Sequence, residues 1–125
     1  MKTILIVEDQ LNFKKVLERF LIRAGYEVIS CASGEAAKDL LRTHDFLVLI
    51  TDFRLGRISG LNLAGVAKTR RPPIPTFIVS AYADNLNRSI WAHFPERIFG
   101  KPIDRQELLA AIKEIESREK VGIKK

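Results

Sequence analysis

The sequence predicts an α/β fold: a five-stranded parallel sheet, (βα)5 and doubly wound, in one domain. Three observations carry that prediction. The chain of 125 residues matches the usual size of a single domain with one core. Five short apolar segments alternate with stretches of helical spacing, the mark of a parallel sheet joined by helices. The segment Phe46 to Ile50 is apolar without alternation, as expected of a strand covered on both faces.

Taken in order, the first strand is predicted over Thr3 to Val7. A helix from about Leu11 to Ala24 follows, with Phe13, Val16, Leu17, Phe20 and Leu21 on one face. Gly25 stands just past its end, where a left-handed cap suits glycine. The second strand, Glu27 to Cys31, leads to a helix behind Ser33 as N-cap, turning Ala36, Ala37, Leu40 and Leu41 inward. Phe46 to Thr51 is the third strand, and the third helix runs from about Leu61 to Arg70, ended by Pro72 and Pro73. After a fourth strand over Pro75 to Ser80 comes a helix from Asp84 to about His93, with a thin stripe of Leu86, Ile90 and Phe94 cut short by Pro95. The fifth strand lies around Arg97 to Gly100. The fifth helix opens behind Asp104, with Glu107 placed to reach back as in a capping box and Leu108, Ile112 and Ile115 as its buried seam. Fraying is expected after Arg118, so the domain is read as residues 1–120, with 121–125 a short basic tail.

Composition narrows the function classes. With 46% hydrophobic and 29% charged residues the chain is an ordinary globular protein, which excludes wholesale disorder. No apolar run approaches the roughly 20 residues of a membrane span, and the run after Lys2 lacks a cleavage site, so a cytoplasmic location is expected. A single cysteine, Cys31, excludes an internal disulfide and reads as a small core residue. The net charge of +6 invites a nucleic-acid reading, but the basic residues are scattered, and only "KTRR" and "GIKK" are dense. That argues for a solvated surface and against nucleic-acid binding by this domain. His44 and His93 have no partner pattern and read as surface residues; Trp91 reads as partly packed.

In an open parallel sheet the ligand site lies at the carboxyl ends of the strands, beside the point where strand order reverses. The first strand ends in Glu8 and Asp9, the third in Asp52, the fourth in Ser80, and the fifth runs into Lys101 and Pro102. Three converging carboxylates call for a cation, and all-oxygen ligands suit Mg2+. Asp9 and Asp52 are expected as direct ligands, with a backbone carbonyl from the loop after Asp52 and Glu8 acting through a water. Mutual repulsion predicts raised carboxyl pKa behaviour in such a cluster without metal. Lys101 beside a metal forms the kind of clamp that stabilises a transferring phosphoryl group, and Ser80 can donate to a phosphate oxygen. The chemistry indicated is attack by an Asp52 oxygen on phosphorus, giving an acyl phosphate.

With those residues in place, the sequence resembles a receiver domain of a two-component response regulator, over nearly the whole chain. The motifs are the acidic pair of "VEDQ", the acceptor in "TDFRLGRISG", the hydroxyl and small residue in "VSAYAD", and the "KP" of "FGKPI". The resemblance implies a flavodoxin-like receiver fold. It implies Asp52 as phosphoacceptor, Glu8 and Asp9 as Mg2+ holders with the Arg54 carbonyl, Lys101 as partner of the acceptor or its phosphoryl group, and Ser80 as switch hydroxyl. Ala81 matches the small residue that leaves the phosphoryl group room, and Gly60 the glycine that ends the loop after the acceptor. The side chains of Arg54 and Tyr82 stand where family members tune acyl-phosphate lifetime. Departures are Gly56, where the family usually has proline, which should loosen the loop; Ile98, where an aromatic switch residue often stands, with Phe99 facing the opposite side; and "AHFPER" in place of a small glycine-containing turn.

The function implied is a phosphorylation-dependent signalling switch rather than a turnover enzyme. Its phosphoryl group would come from a sensor histidine kinase or phosphotransfer protein. An unidentified downstream protein would read the face made by the fourth helix, fifth strand and fifth helix, also a candidate homodimer surface. Two rivals stand beside it. An aspartate-nucleophile phosphohydrolase usually carries a second acid two residues after the nucleophile, where this chain has Arg54. A non-phosphorylatable interaction module would account for Ile98 and Gly56 as drift, but not for the intact five-residue set. No output domain follows the fifth helix, so the chain reads as a stand-alone receiver or a piece of a larger regulator.

Overall fold

The computed structural model describes residues 2–83 and 95–122; the predicted fourth helix, with Trp91 and His93, lies outside them. Five strands form one parallel sheet: β1 (Thr3–Val7), β2 (Glu27–Cys31), β3 (Val48–Asp52), β4 (Thr76–Ser80) and β5 (Arg97–Gly100). Their order is β2-β1-β3-β4-β5, so the chain steps outward from β1 in one direction and then returns past it. The reversal falls between β1 and β3, the crevice where such sheets bind ligands.

Register makes the carboxyl ends level. Val7 pairs with Cys31 and Thr51, Asp52 with Val79, and Ser80 with Gly100. Alternation along the strands then divides the core in two. Ile4, Ile6, Val48, Ile50, Phe77, Val79 and Phe99 face α1 (Leu11–Arg23) and the C-terminal helix (Arg105–Gly122). Leu5, Val7 and Leu49 face α2 (Gly34–Thr43) and α3 (Gly60–Lys68), packing on Ala37, Leu41, Leu63 and Ala67. Burying each of the valine, leucine, isoleucine and phenylalanine side chains among these contributes about 1.5–3 kcal/mol, which makes a one-residue slip of any strand prohibitive.

Local signals act as read. Ser33 Oγ accepts from Ala36 N (3.2 Å), and Ser59, which was not read as a cap, does the same for α3 by accepting from Asn62 N (3.2 Å). Asp104 Oδ1 accepts from Gln106 N and Glu107 N at 3.0 and 3.1 Å, starting the C-terminal helix. Gly25 has φ +103°, the left-handed cap expected after α1. Other expectations are corrected. Val16 is half exposed, because it sits at the edge of an α1 stripe centred on Phe13, Leu17, Phe20 and Leu21. Ala36 is exposed for the same reason on α2. The third strand starts at Val48 and includes Asp52, and the C-terminal helix continues past Arg118 to Gly122. Cys31, expected in the core, is half-buried at the edge of the second cluster. Among the described residues no helix is long and apolar enough to cross a membrane.

Candidate functional site

The backbone carries the acids to one place. Glu8 N donates to Cys31 O (3.1 Å), extending the β1–β2 ladder one residue beyond the strand and pointing the chain over the carboxyl edge. Glu8 is 2% exposed, and its Oε2 accepts from Gln10 N (3.0 Å), while Asp9 faces solvent. Asp52 closes β3, where its Oδ1 accepts from Phe53 N (2.9 Å). One carboxylate oxygen from each of Glu8, Asp9 and Asp52 lies within 4.8 Å of the others.

Lys101 answers that concentration of negative charge. Its amide donates to Ser80 O (3.1 Å), fastening the end of β5 to the end of β4. From there the side chain reaches across, with Nζ 3.5 Å from Glu8 Oε1 and 3.5 Å from Asp52 Oδ1. Two unit charges about 4 Å apart interact by about 4 kcal/mol at an effective dielectric of about 20, so attraction to Lys101 is of the same size as the repulsion between any two of the acids. One ammonium against three carboxylates leaves the cluster anionic. Glu8 is held above the usual carboxylate range. Burial is the largest cause, with the charges of Asp52 and Asp9 adding to it and the Gln10 amide and Lys101 opposing it. The sequence argument named repulsion as the cause; the structure ranks burial above it, because Glu8 lies beneath the rim.

The remaining residues frame Asp52. Ser80 is buried, and its Oγ accepts from Tyr82 N (2.9 Å). Ala81 and Tyr82 follow it on the exposed rim, and the Arg54 guanidinium lies 5.6 Å from the centre of the Tyr82 ring. Gly60 N donates to Phe53 O (2.8 Å), closing the loop after Asp52, and a Cβ at Gly60 would come 2.6 Å from Asp52 O. That residue must lack a side chain for the loop to close. Gly56 has φ +80°, which proline, locked near about −65°, cannot adopt. The glycine therefore sets a specific turn rather than simply loosening the loop. Ile98 is half-buried and pairs with Ile78, whereas Phe99 is buried edge-on against Phe77 (5.4 Å) in the α1-side core. The opposite facing expected of these neighbours is present.

One contact was not read from the sequence. The Phe13 ring, expected only to pack, also lies 5.0 Å from Lys101 Nζ. Its helical spacing signalled the core; nothing local signalled a residue 88 positions away.

A sequence profile of the response regulator receiver domain matches residues 4–113. The chain belongs to that family. Among curated relatives of this receiver domain, the DNA-binding transcriptional regulator NtrC of Klebsiella pneumoniae is 34% identical over 110 residues, covering 86% of this chain and 23% of NtrC. The receiver protein CpdR of Brucella abortus is 28% identical over 116 residues, covering 92% of this chain and 97% of CpdR. The chain spans only 17% of the length of another relative, the Pseudomonas aeruginosa response regulator FleR. Among solved structures, the response regulator TrrA of Thermotoga maritima, in complex with Mg2+-BeF, superposes with a TM-score of 0.83 at 25% identity, covering 92% of this chain and 99% of TrrA. Receiver domains belong to two-component signalling, and the acidic cluster of this one is a donor set suited to a hard divalent cation.

Proposed function

We propose that this receiver domain, residues 1–120, is switched by phosphorylation of Asp52. The observation that carries the reading is the convergence of Glu8, Asp9 and Asp52 within 4.8 Å, with the Lys101 ammonium 3.5 Å from two of them.

Glu8, Asp9, Asp52 and the Arg54 carbonyl would hold Mg2+, and the donor set fits because every atom is a hard oxygen. When bound, the ion supplies positive charge opposite the phosphoryl oxygens. An Asp52 oxygen attacks phosphorus of a phosphohistidine on a sensor histidine kinase or phosphotransfer protein. The new P–O bond forms as the P–N bond breaks, and the departing imidazole nitrogen takes a proton from water. A carboxylate is already ionised, so no general base is required. Lys101 turns from Asp52 toward a phosphoryl oxygen, Ser80 Oγ–H donates to another, and the small Ala81 leaves the space they need. Arg54 and Tyr82, stacked at the rim, modulate access of water to the acyl phosphate. The new charge draws the Ser80 end of β4 inward and shifts the population of the face that contains β5, Ile98, the C-terminal helix and the segment before β5. A downstream protein, or a second copy of the chain, reads that face.

The test is incubation with a small acyl-phosphate donor and Mg2+, followed by intact mass. One labile phosphoryl adduct is expected on the native chain and none on Asp52→Asn or without Mg2+. Steady donor turnover would indicate a phosphohydrolase, and no adduct at all an interaction module. Arg54 stands where a hydrolase needs its general acid, and an arginine cannot serve as one.

A further inference from the structure

Phe13 and Phe20 are seven residues apart, so they share one face of α1. Each ring carries a cation from the segment that runs from the end of β5 to the first residue of the C-terminal helix. Lys101 Nζ lies 5.0 Å from the Phe13 centroid, and the Arg105 guanidinium carbon lies 5.6 Å from that of Phe20. Both rings, partly buried, pack on the core cluster that includes Leu17, Leu21, Leu108 and Ile112. The segment is thereby tied to α1 at two points, and the first tie is the ammonium of the phosphoryl site.

The tie addresses a need of that site. Lysine has a long, flexible stem with much rotamer freedom to lose. The two Lys101–carboxylate separations of 3.5 Å exceed the roughly 2.7–2.9 Å of a short charge-assisted hydrogen bond. Carboxylate attraction alone leaves the ammonium loosely placed. An aromatic face beside it attracts the charge and occupies space that water would otherwise fill.

We propose that Phe13 is a positioning residue for phosphoryl transfer, its ring holding the Lys101 ammonium at the acceptor oxygen before the donor arrives. The proposal rests on the reading of Asp52 as phosphoacceptor. Phe13 acts through Lys101.

The experiment compares the native chain with Phe13→Leu, which keeps an apolar side chain in the core but has no ring, and with Phe13→Tyr, which keeps the ring. Two readouts are taken on the whole chain. The first is the rate of adduct formation with an acyl-phosphate donor at saturating Mg2+. Phe13→Leu is expected to be roughly two- to fivefold slower, and Phe13→Tyr to restore the native rate. The second is the ring-current shift of the Lys101 ε-methylene in 13C-lysine-labelled protein, assigned by its loss in Lys101→Arg. It should be upfield in the native chain and Phe13→Tyr, and near an exposed lysine in Phe13→Leu. Equal rates for native and Phe13→Leu would overturn the proposal, as would slowing that Phe13→Tyr fails to restore. A native Lys101 signal with no ring-current shift would overturn it too. A native chain that keeps the shift but takes no phosphoryl group would refute the phosphoacceptor reading, and with it the catalytic consequence, while leaving the contact itself established.

Discussion

Gly60→Ala puts a Cβ 2.6 Å from the Asp52 backbone oxygen, and 3.3 Å from both Phe53 Cα and Thr51 Cγ2. The first distance is about 0.9 Å inside the roughly 3.5 Å optimum for non-bonded heavy atoms. Its neighbour is main chain, so no side-chain rotation relieves it. Either the 2.8 Å bond from Gly60 N to Phe53 O lengthens or the Asp52 backbone shifts. Overpacking of this kind costs about 1–3 kcal/mol, offset by less than about 1 kcal/mol of helix propensity at the first residue of α3. A net loss of about 1–2 kcal/mol is expected, or about 4–8 °C in melting temperature for a domain of this size. Because the strained atoms belong to Asp52, a proposed Mg2+ ligand, Mg2+ affinity by calorimetry should fall as well. Gly25→Ala is the control. It meets nothing within 4 Å, but its φ of +103° makes alanine strained, so it should destabilise by about 1–2 kcal/mol without changing Mg2+ affinity. Gly60→Ala melting with the native chain, or losing no more Mg2+ affinity than Gly25→Ala, would refute the close-approach argument.

Glu8 is held above its usual range, so the folded chain binds that proton more tightly than the unfolded one. The ionisation penalty is absent below the ordinary glutamate pKa, where both states are protonated, and grows as pH rises toward the folded value. Without metal, Glu8→Gln should therefore melt above the native chain at neutral pH, with the two curves converging in acid; melts from about pH 4 to about pH 8 in a chelator check this. Added Mg2+ should stabilise the native chain more than the variant. The Arg70 guanidinium ties the turn after α3 to the last turn of α2 and the residues just beyond it, through Leu41 O, His44 O and Asp45 Oδ1. Arg70→Ala should lose about 1.5–3 kcal/mol in urea unfolding and leave the phosphorylation rate unchanged. Arg54→Ala removes the stack on Tyr82, and the half-life of the acyl phosphate, followed by mass after donor removal, should shorten.

Much of the site was legible because its residues sit at strand ends, where local pattern is informative. An apolar run that stops at Glu8 and Asp9, another that stops at Asp52, and a third that meets Lys101 could be read without knowing which strands are neighbours. Caps were legible for the same reason, since Ser33 and Asp104 bond to amides two or three residues on. Val16 and Ala36 were misplaced because helical spacing gives a stripe but not its edges, which are set by how the helix rolls on the sheet.

By itself the sequence determined the alternation of elements, the boundaries marked by glycine, proline and serine, and the identity of the groups that could meet at one rim. All of these follow from backbone preferences and side-chain chemistry within a few residues. Only the tertiary structure decided that β1 and β3 lie side by side and that their ends are level. It also placed Lys101 between Glu8 and Asp52 with Phe13 beside it, and brought α3 against Asp52 closely enough to require Gly60. These are contacts between segments distant in the chain. Strand order and register arise from burying both faces of the sheet at once, and no single stretch of sequence contains that condition.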